Sequence, residues 1–380
     1  MISTVIIKPT RNCNANCQYC SAPPTDNNEL WSFSDFRRYF DSIAAYLHEN
    51  VTLIWHGGEP MLLGPEFYEE CYDYALRKKP HIRFSMQSNI LLYDSRWKDV
   101  IFNIMKGCIS TSFDPDETSR KIKTDAQLYS ERFFCKLKEL VEDGFHPLIV
   151  GTYTDETIPF SFKMYELASF YEKKEGAFSL RFNYRYPLGR VNGIGQLITP
   201  QNYGQMLIDL YNIWIRDLPD FVITPLDQML LKVTGEENRR CPWTSSCTGR
   251  FLGIEPNGDI YNCSDFANLD DALSYCLGNL NRNSIPEMMS SEIAVKLRRR
   301  TARVPIECIE CEHYLQCEGG CMRESVLFGN GLYGKFHYCE AWKMVFTRIK
   351  ESLETGEADA AAKKYSRIQG KKNNRYRKRY

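Results

Sequence analysis

The sequence lacks a targeting signal, a membrane-spanning run and a net charge, and each absence excludes a class of protein. Its first residues, MISTVIIKPTRNC, have neither the basic start, the long apolar centre nor the cleavage site of a secretory signal. No apolar run approaches the roughly 18 to 20 residues that span a bilayer. The 48 basic and 48 acidic residues cancel, so the overall charge gives no reason to expect nucleic acid or a membrane surface as a partner. We therefore predict a cytoplasmic protein with neither of those partners.

What the sequence has in excess is cysteine, with fifteen among 380 residues. In a reducing compartment, clustered cysteines are more often metal ligands or catalytic groups than disulfides. The apolar share of 43% and the charged share of 25% are ordinary for a globular protein. The length allows one large domain and a smaller one.

Short apolar runs alternate with amphipathic stretches from residue 3 to about 190, which is typical of β/α units with a parallel sheet. The helical stretches include 34–50, with Ser34 as N-cap, and 126–144, which ends on Gly144. Six units are too few for the eight of a closed TIM barrel, so we predict an α/β fold with a partial, open (β/α)6 barrel. The six predicted strands are 4–9, 51–56, 82–88, 108–114, 146–154 and 178–184.

The prediction places the barrel at 1–195, a connector with one helix at 196–240, a loop-rich domain at 241–345 and a C-terminal helix and tail at 346–380. Nine cysteines lie among Gly, Asn, Asp and Pro between 241 and 339. Such a region is too loop-rich to rest on apolar burial alone, which indicates that metal holds it. The last 18 residues carry nine basic and no acidic side chains. We predict a solvated tail, with contact to an acidic leader peptide as the alternative.

Three cysteines in the stretch TRNCNANCQYC, Cys13, Cys17 and Cys20, directly follow the first predicted strand. Parallel β/α proteins place their active sites at this carboxyl edge. Three thiolates can hold three irons of a [4Fe-4S] cluster, whereas four are usual, so one iron is left open. The alternatives are a zinc site that lacks its fourth ligand and three unrelated buried thiols.

With Tyr19 before the last cysteine, this motif resembles that of the radical S-adenosylmethionine (SAM) superfamily. The resemblance implies that SAM chelates the open iron and is cleaved by one electron from the cluster. The resulting 5′-deoxyadenosyl radical would abstract a hydrogen atom from the substrate. A low-potential electron donor such as flavodoxin or ferredoxin is then expected.

A second motif, WHGGEP, follows the second predicted strand and resembles the GGEP motif of the same family. The resemblance implies that its backbone receives the SAM amino group, and glycine suits the close approach of a ligand to the backbone. The alternative is an ordinary turn. The residues concerned are Gly57, Gly58, Glu59 and Pro60.

Polar residues at the ends of later strands resemble further SAM-binding motifs. Ser88 and Asn89 in MQSNILL resemble the family's TNG, with Ile90 in place of glycine. Ser112 and Asp114 in STSFDP resemble S-x-D-G, with proline in place of glycine. Both pairs are candidates for the ribose or carboxylate of SAM, and strand caps are the alternative. Further candidates for the carboxylate are Arg181 and Arg190.

The cysteines beyond residue 241 contain the run C-x2-C-x5-C-x3-C followed by one more, which closely resembles the SPASM extension of radical SAM peptide-modifying enzymes. The resemblance implies two auxiliary [4Fe-4S] clusters, hence three clusters in all; a zinc ribbon is the alternative. The first auxiliary set would be Cys241, Cys247, Cys263 and Cys321, and the second auxiliary set Cys308, Cys311, Cys317 and Cys339. The remaining cysteines are predicted to be buried small apolar side chains: Cys71, Cys108, Cys135 and Cys276.

The intervals between these cysteines also resemble those of anaerobic sulfatase-maturating enzymes, which oxidise Cys or Ser to formylglycine. Those enzymes carry Asp directly after the third cysteine of the first auxiliary cluster. Here Ser264 holds that place and Asp265 comes one residue later. We hypothesise that Asp265 is still the catalytic base.

The function predicted from these resemblances is oxidative modification, such as a crosslink, of a ribosomally made precursor peptide. The first predicted strand begins at residue 4, so no leader-binding domain is expected before it, and a separate leader-binding protein is a possible partner. The alternatives are sulfatase maturation, peptide epimerisation and small-molecule dehydrogenation. A non-enzymatic iron-sulfur carrier would explain the clusters but not the three-cysteine site with its downstream GGEP.

Overall fold

The computed structural model describes residues 1–24, 29–175, 178–191, 197–236, 241–242 and 247–366. Its core is a sheet in which seven parallel strands follow one another in chain order. The first six confirm the predicted partial barrel, and a short seventh pairs with the sixth. The strands are β1 (Ile2–Ile7), β2 (Leu47–Trp55), β3 (Arg83–Gln87), β4 (Ile109–Ser112), β5 (Leu148–Tyr153), β6 (Leu180–Tyr184) and β7 (Ile223–Thr224).

Helices connect these strands and bury apolar stripes. The first helix buries Phe36, Tyr39, Phe40 and Ile43, whose spacing of three and four residues places them on one helical face. The helices of this part are α1 (Phe33–Ile43), α2 (Pro65–Lys78), α3 (Trp97–Asp99, continued by a π-helical turn Val100–Ile104), α4 (Ala126–Glu142), α5 (Phe160–Glu175), α6 (Pro200–Asp217) and α7 (Leu226–Val233).

Two details of the predicted helices differ from the structure. The N-cap of α1 is Ser32 instead of Ser34, because Ser32 and Asp35 form a capping box with each other's backbone N–H groups. Residues 47–50, predicted as the end of that helix, begin β2, where Leu47 pairs with Ile2 of β1. The predicted end of α4 is confirmed, since Gly144 follows the cap with a φ of +83°.

The C-terminal region continues the same sheet. Strand β8 (Phe251–Ile254) pairs in parallel with β1, and β9 (Asp259–Tyr261) and β10 (Cys276–Asn279) add antiparallel strands beyond it. The resulting sheet has ten strands, with β10 and β7 at its two ends. The barrel and the cysteine-rich region therefore share a single sheet.

A buried cluster of ion pairs connects the carboxyl ends of β1 and β8. Lys8 follows β1 and Glu255 follows β8, and their Nζ and Oε1 atoms lie 2.6 Å apart with both side chains almost fully buried. Arg11 Nη2 lies 2.6 Å from the other oxygen of Glu255. Lys8 also donates to the carbonyl of Ser264, at 3.0 Å. Because removing one partner of a buried pair leaves an uncompensated charge, these residues fix the two regions relative to each other.

Short elements make up most of the remainder. The last long helix, α12, packs against α6, where Trp342 faces Tyr203 with ring centroids 5.7 Å apart. The helices are α8 (Ile285–Ser290), α9 (Glu292–Arg299), α10 (Tyr314–Cys317), α11 (Met322–Leu327) and α12 (Cys339–Glu354). Most of the predicted basic tail lies outside the described residues. No helix in the described part of the chain has the length and apolarity that a bilayer crossing requires.

Candidate active site

The loop after β1 carries Cys13, Cys17 and Cys20 and is fixed by backbone hydrogen bonds to the segment after β4. Asn16 N–H donates to Lys121 O at 2.6 Å, and Gln18 N–H donates to Ser119 O at 2.8 Å. The three thiols lie close enough for their charges to act on one another. Burial raises the pKa of Cys13 to about 12, so metal binding must displace its proton.

The two glycines of the GGEP motif support this loop. Gly58 N–H donates to Thr10 O at 3.0 Å and Glu59 N–H donates to Asn12 O at 2.7 Å. A Cβ atom on Gly58 would lie 2.0 Å from Asn12 O, and one on Gly57 would lie 2.4 Å from Thr10 O. The chains cross at a distance that only glycine allows. Contact of this backbone with SAM stays a prediction.

Glu59 joins the GGEP segment to the end of β3. The carboxylate is 1% exposed and accepts hydrogen bonds from Ser88 Oγ at 2.7 Å, Asn89 N at 2.7 Å and Met61 N at 2.9 Å. Burial raises its pKa to about 7, against these three donors. Pro60 begins the 3₁₀ turn that Glu59 caps. The described contacts of Glu59 and Ser88 are thus within the protein.

Asn89 brings the end of β3 to the cysteine loop. Its Nδ2 atom lies 3.7 Å from Cys13 Sγ and donates to Asn14 Oδ1 at 2.7 Å. The next residue, Ile90, stands where the resembling motif has glycine and adopts a φ of +59° while fully buried. A β-branched residue in the left-handed region is a strained outlier. Ile90 thus adopts a backbone conformation that glycine would adopt without strain.

Asp114 is the centre of a second set of contacts around the cysteine loop. Its carboxylate accepts from Arg120 Nε at 2.7 Å, from Thr152 N at 2.7 Å and from the hydroxyl of Tyr19. Arg120 also places Nη1 3.8 Å from Cys17 Sγ. Asp114 and Arg120 therefore hold Tyr19 and Cys17 together.

Sequence reasoning missed Arg120, which no strand or quoted motif contains. Ser112, the partner of Asp114 in the predicted motif, accepts instead from Gln87 Nε2 at 3.0 Å.

Three arginines near β6 divide between the two cysteine regions. Arg181 interacts electrostatically with Cys241 of the first auxiliary set. Arg185, four residues further, lies over the ring of Tyr19, with Cζ 5.1 Å from its centroid, and donates to Ser119 Oγ at 3.2 Å. Arg190 donates to Cys17 O at 3.0 Å. Arg185, which directly follows β6, and Arg190 thus lie at the cysteine loop, whereas Arg181 within β6 does not. The position of Arg185 at the carboxyl end of a predicted strand was the signal that could have found it.

The first auxiliary set is brought together around a cavity. Cys321 is among the charges that act on Cys241, Cys247 and Cys263. All four line the same cavity of about 170 Å³. Burial raises the pKa of Cys247 to about 12. Cys241 is exposed and the other three are partly buried. Four thiols around one space are the donor set that an iron-sulfur cluster requires.

The second auxiliary set is also brought together. Cys339, Cys308 and Cys311 are the charges that act on Cys317, whose pKa burial raises to about 12. Cys308 ends a 3₁₀ turn, Cys317 ends α10 and Cys339 begins α12. The ligands predicted for this cluster thus come from separate short elements.

The four remaining cysteines belong to neither set. All fifteen cysteines are described and free of disulfides. Cys71 is buried as predicted, and Cys108 and Cys276 are partly buried. The prediction was wrong for Cys135, which is exposed on α4, where Sγ lies 3.5 Å from Glu139 Oε1. Its position falls on the outward face of the helix.

Asp265 lies where the first auxiliary set meets the carboxyl edge of the barrel. It follows Ser264, which is buried against Gly253 of β8, whereas the carboxylate of Asp265 is 41% exposed. Arg323 Nη2 lies 3.2 Å from Asp265 Oδ2. Desolvation alone would raise the pKa of Asp265, but the charges of Arg323 and Lys8 hold it below its ordinary value. The shift by one residue therefore leaves a carboxylate facing this edge.

His56, directly before Gly57, is a second group at this edge that sequence reasoning missed. The side chain is exposed at the surface, where partial desolvation and the charge of Lys8 lower its pKa, although Asp265 and Glu255 act in the opposite direction. Its Nδ1 atom accepts from Gly57 N–H at 2.8 Å. The neutral ring then carries its proton on Nε2 and can donate from there. Its place between a strand and the GGEP glycines was the available signal.

The comparisons with known proteins agree with this geometry. Residues 7–155 match the family model of the radical SAM superfamily, and residues 241–312 match that of the SPASM iron-sulfur cluster-binding domain. This chain therefore carries a radical SAM domain followed by a SPASM domain. Its cofactors are accordingly SAM and a [4Fe-4S] cluster in the radical SAM domain and auxiliary iron-sulfur clusters in the SPASM domain.

Relatives of this radical SAM/SPASM enzyme match it over nearly the whole chain. A cysteine-type anaerobic sulfatase-maturating enzyme from Clostridium novyi (strain NT) is 25% identical over 91% of this chain and 94% of its own. The structure of native anSMEcpe with bound AdoMet and Cp18Cys peptide has a TM-score of 0.78 and 21% identity, over 95% of this chain and 100% of that one. Streptococcus suis SuiB bound to precursor peptide SuiA has a TM-score of 0.63 and 15% identity, over 88% and 75%. At these identities the two structures show the fold alone.

Proposed function

We propose that this radical SAM/SPASM enzyme removes two electrons from a side chain of a peptide substrate, with oxidation of a peptidyl Cys or Ser to formylglycine as the first product class. The observation that carries the proposal is the position of Asp265, beside His56 and Lys8 at the barrel edge and next to Cys263 of the first auxiliary set. The end-to-end likeness to a sulfatase-maturating enzyme supports this product class.

The proposed ligands are Cys13, Cys17 and Cys20 for the SAM cluster and the two auxiliary sets for one cluster each. Bound SAM with its cluster supplies a 5′-deoxyadenosyl radical, and the auxiliary clusters supply an electron acceptor. Asp114, Arg120 and Tyr19 hold the cysteine loop in place.

Asp265 is the proposed acceptor of the substrate proton. One hydrogen atom leaves the Cβ of the target residue, one proton leaves its hydroxyl or thiol to Asp265, and one electron leaves to the auxiliary clusters, so that a C=O or C=S bond forms. A thioaldehyde then exchanges with water to the aldehyde and releases hydrogen sulfide. The positive charges of Arg323 and Lys8 keep Asp265 ionised and ready to accept. His56 orients the substrate by donation from Nε2.

Crosslinking of a precursor peptide is the second candidate. Ser264 stands where sulfatase-maturating enzymes carry their Asp, and the fold is shared with SuiB, whose structure contains a precursor peptide. The same proton acceptor and electron acceptors serve this outcome, because a crosslink also removes two electrons. A flavodoxin or ferredoxin donor and a separate leader-binding protein remain predictions.

The test is anaerobic incubation of the reconstituted full chain with SAM, a reductant and peptides that contain one Cys or one Ser. We expect 5′-deoxyadenosine together with a product that reacts with a hydrazine, because formylglycine is an aldehyde. The Ser peptide should lose two hydrogens, and the Cys peptide should also exchange sulfur for oxygen. Loss of two hydrogens without hydrazine reactivity would favour the crosslink. Formation of 5′-deoxyadenosine with no change in any peptide would contradict both candidates.

A further inference from the structure

Arg300 is a buried cation between the two auxiliary sets. It directly follows α9, is 8% exposed and lines the cavity around the first set. The charges that act on it come from Cys308 and Cys317 of the second set and from Cys321 and Cys247 of the first. A guanidinium group stays protonated in proteins. Arg300 therefore places one permanent positive charge within reach of both sets.

The guanidinium of Arg300 is bonded only to neutral oxygens in its described contacts. Nη1 donates to Leu332 O at 3.1 Å and to Gly334 O at 2.7 Å, and Nη2 donates to Gly319 O at 3.1 Å. Gly319 lies between Cys317 and Cys321, so the arginine is bonded to the backbone that joins one ligand of each set. These bonds fix its position.

The described residues offer Arg300 no carboxylate as an ion-pair partner. A second buried arginine, Arg323, lies near Cys321 and Cys263 but is paired with Asp265 and Glu324. Lys335 near Cys339 is likewise paired, with Glu340 at 3.0 Å. Buried charges in proteins are paired or coordinate metals. The negative charge that balances Arg300 must then come from the thiolates and the clusters they hold.

We propose that Arg300 is the shared counter-ion of the two auxiliary clusters and raises the reduction potential of both. This inference rests on the cluster assignment made under the proposed function. A positive charge stabilises the more negative, reduced form of a nearby cluster, and solvent screens it little in a buried site. The interactions of one fixed charge with two clusters add, so Arg300 stabilises the reduced form of each. Arg300 thus favours entry of the first substrate electron into either cluster.

The experiment is a redox titration of the reconstituted full chain, followed by electron paramagnetic resonance, for wild type, Arg300→Met and Arg300→Lys. We expect Arg300→Met to move the midpoints of both auxiliary clusters to more negative potentials and to leave the SAM cluster, an internal reference, unchanged. Arg300→Lys should recover most of the shift because it retains the charge. The matched control is Arg299→Met, since Arg299 is an exposed cation in the preceding position; its midpoints should equal those of wild type.

Three results would overturn the proposal: unchanged auxiliary midpoints in Arg300→Met, equal shifts in the Met and Lys variants, or the same shift in Arg299→Met. If Arg300→Met does not assemble both auxiliary clusters, iron content decides. Assembly in Arg300→Lys alone supports the need for charge, and equal loss in both contradicts it. Cleavage of SAM by the wild type is measured separately, so that failure of the proposed function is distinguished from failure of this inference.

Discussion

The cysteine loop of the SAM site and the two auxiliary sets are held by different means. The loop follows a strand of a regular sheet, and backbone bonds from Gly58, Glu59, Asn16 and Gln18 fix it from two sides. The auxiliary ligands lie on turns and helices that are often only three to six residues long, such as Ile306–Cys308, Tyr314–Cys317 and Met322–Leu327.

The residues around the auxiliary cysteines also indicate weaker support from the protein than the cysteine loop has. Ile306, Ile309 and Leu315 are 79%, 69% and 82% exposed, although they flank Cys308 and Cys311. Glu318, Gly319 and Gly320 have left-handed φ angles of +52°, +82° and +69°. The two glycines adopt these angles without strain, but Glu318 does not. A segment with several exposed aliphatic side chains gains little from apolar burial. We infer that the fold alone fixes the cysteine loop, whereas bound clusters would supply much of the stability of the auxiliary region.

Removal of iron should produce the largest difference in stability between the cysteine loop and the auxiliary region. Anaerobic chelation is expected to abolish amide protection between residues 305 and 339 and to leave that of Asn16, Gln18 and Gly58, because cluster binding contributes to folding only where the protein alone does not fix the ligands. Hydrogen exchange measured by mass spectrometry tests this, and reconstitution should restore protection. Equal loss in the two regions would contradict the comparison.

Replacement of Gly58 by alanine should displace the cysteine loop and leave the auxiliary region unchanged. The new Cβ would lie 2.0 Å from Asn12 O and 2.5 Å from Arg11 O, both backbone atoms, so the cysteine loop must move. We expect loss of SAM cleavage, with the auxiliary resonance signals retained. Gly249→Ala is the control, because nothing lies within 4 Å of a Cβ there. Normal SAM cleavage in Gly58→Ala would show that the close crossing is not required.

Asp265 lies at the junction of the two regions, and its change to Asn should lower peptide oxidation about 100-fold or more, the usual contribution of a positioned acid or base. Formation of 5′-deoxyadenosine should persist, since the cysteine loop is untouched. Asp270→Asn, at an exposed position nearby, is the control. Full turnover of peptide by Asp265→Asn would remove this residue from the mechanism.

Replacement of Glu59 by glutamine should have the smallest effect, which is a change in how the free energy of unfolding depends on pH. Burial raises its pKa to about 7 from an ordinary 4.5, so the folded state binds the proton more tightly than the unfolded state. Its contribution is therefore complete below pH 4.5 and is lost as the pH rises to about 7. Glu59→Gln should flatten this part of the curve of unfolding free energy against pH.

The unfolding free energy of Glu59→Gln should still depend on pH, because burial raises the pKa of Glu324 to about 7 as well. Glu324→Gln should flatten that remainder. Unfolding curves of both variants that keep the full wild-type slope would show that neither carboxyl is protonated in the folded protein.

Local patterns predicted the barrel because each strand and helix carries its own periodicity. Residues 126–144 contain the apolar spacing and the terminal Gly144 of α4, and the parallel strands read as short apolar runs. The start of β2 could not be predicted in this way. Residues 47–50 continue the apparent helix, and only pairing of Leu47 with Ile2 makes them a strand. The pairing of β8 with β1 joins residues about 250 apart and has no local signal.

In the candidate site, too, residues within local motifs could be predicted from the sequence, whereas residues brought in by the tertiary fold could not. Motif spacing predicted every cysteine that the structure groups, because ligand intervals are written in the chain. Residues that reach the cysteines or their neighbours from other parts of the chain were missed. Arg120 and Arg300 act on cysteines, Arg185 contacts Tyr19, and His56 lies beside Asp265. Their roles depend on which loops meet at the sheet edge, which is a property of the folded chain. Ser264 and Asp265 show the limit, since packing of Ser264 against Gly253 determines which of them faces the barrel.

The shared sheet also limits how the molecule can move. Ile7 pairs with Ile254 on neighbouring strands, and the buried pair of Lys8 with Glu255 follows at once on the same two strands. A hinge between barrel and SPASM domain would have to break this ladder and separate the ion pair. The register of these paired strands therefore fixes the distance between the cysteine loop and Cys263. In the proposed reaction, the distance between the cysteine loop and the first auxiliary set would then stay constant, and substrate entry and product release would depend on loop movement.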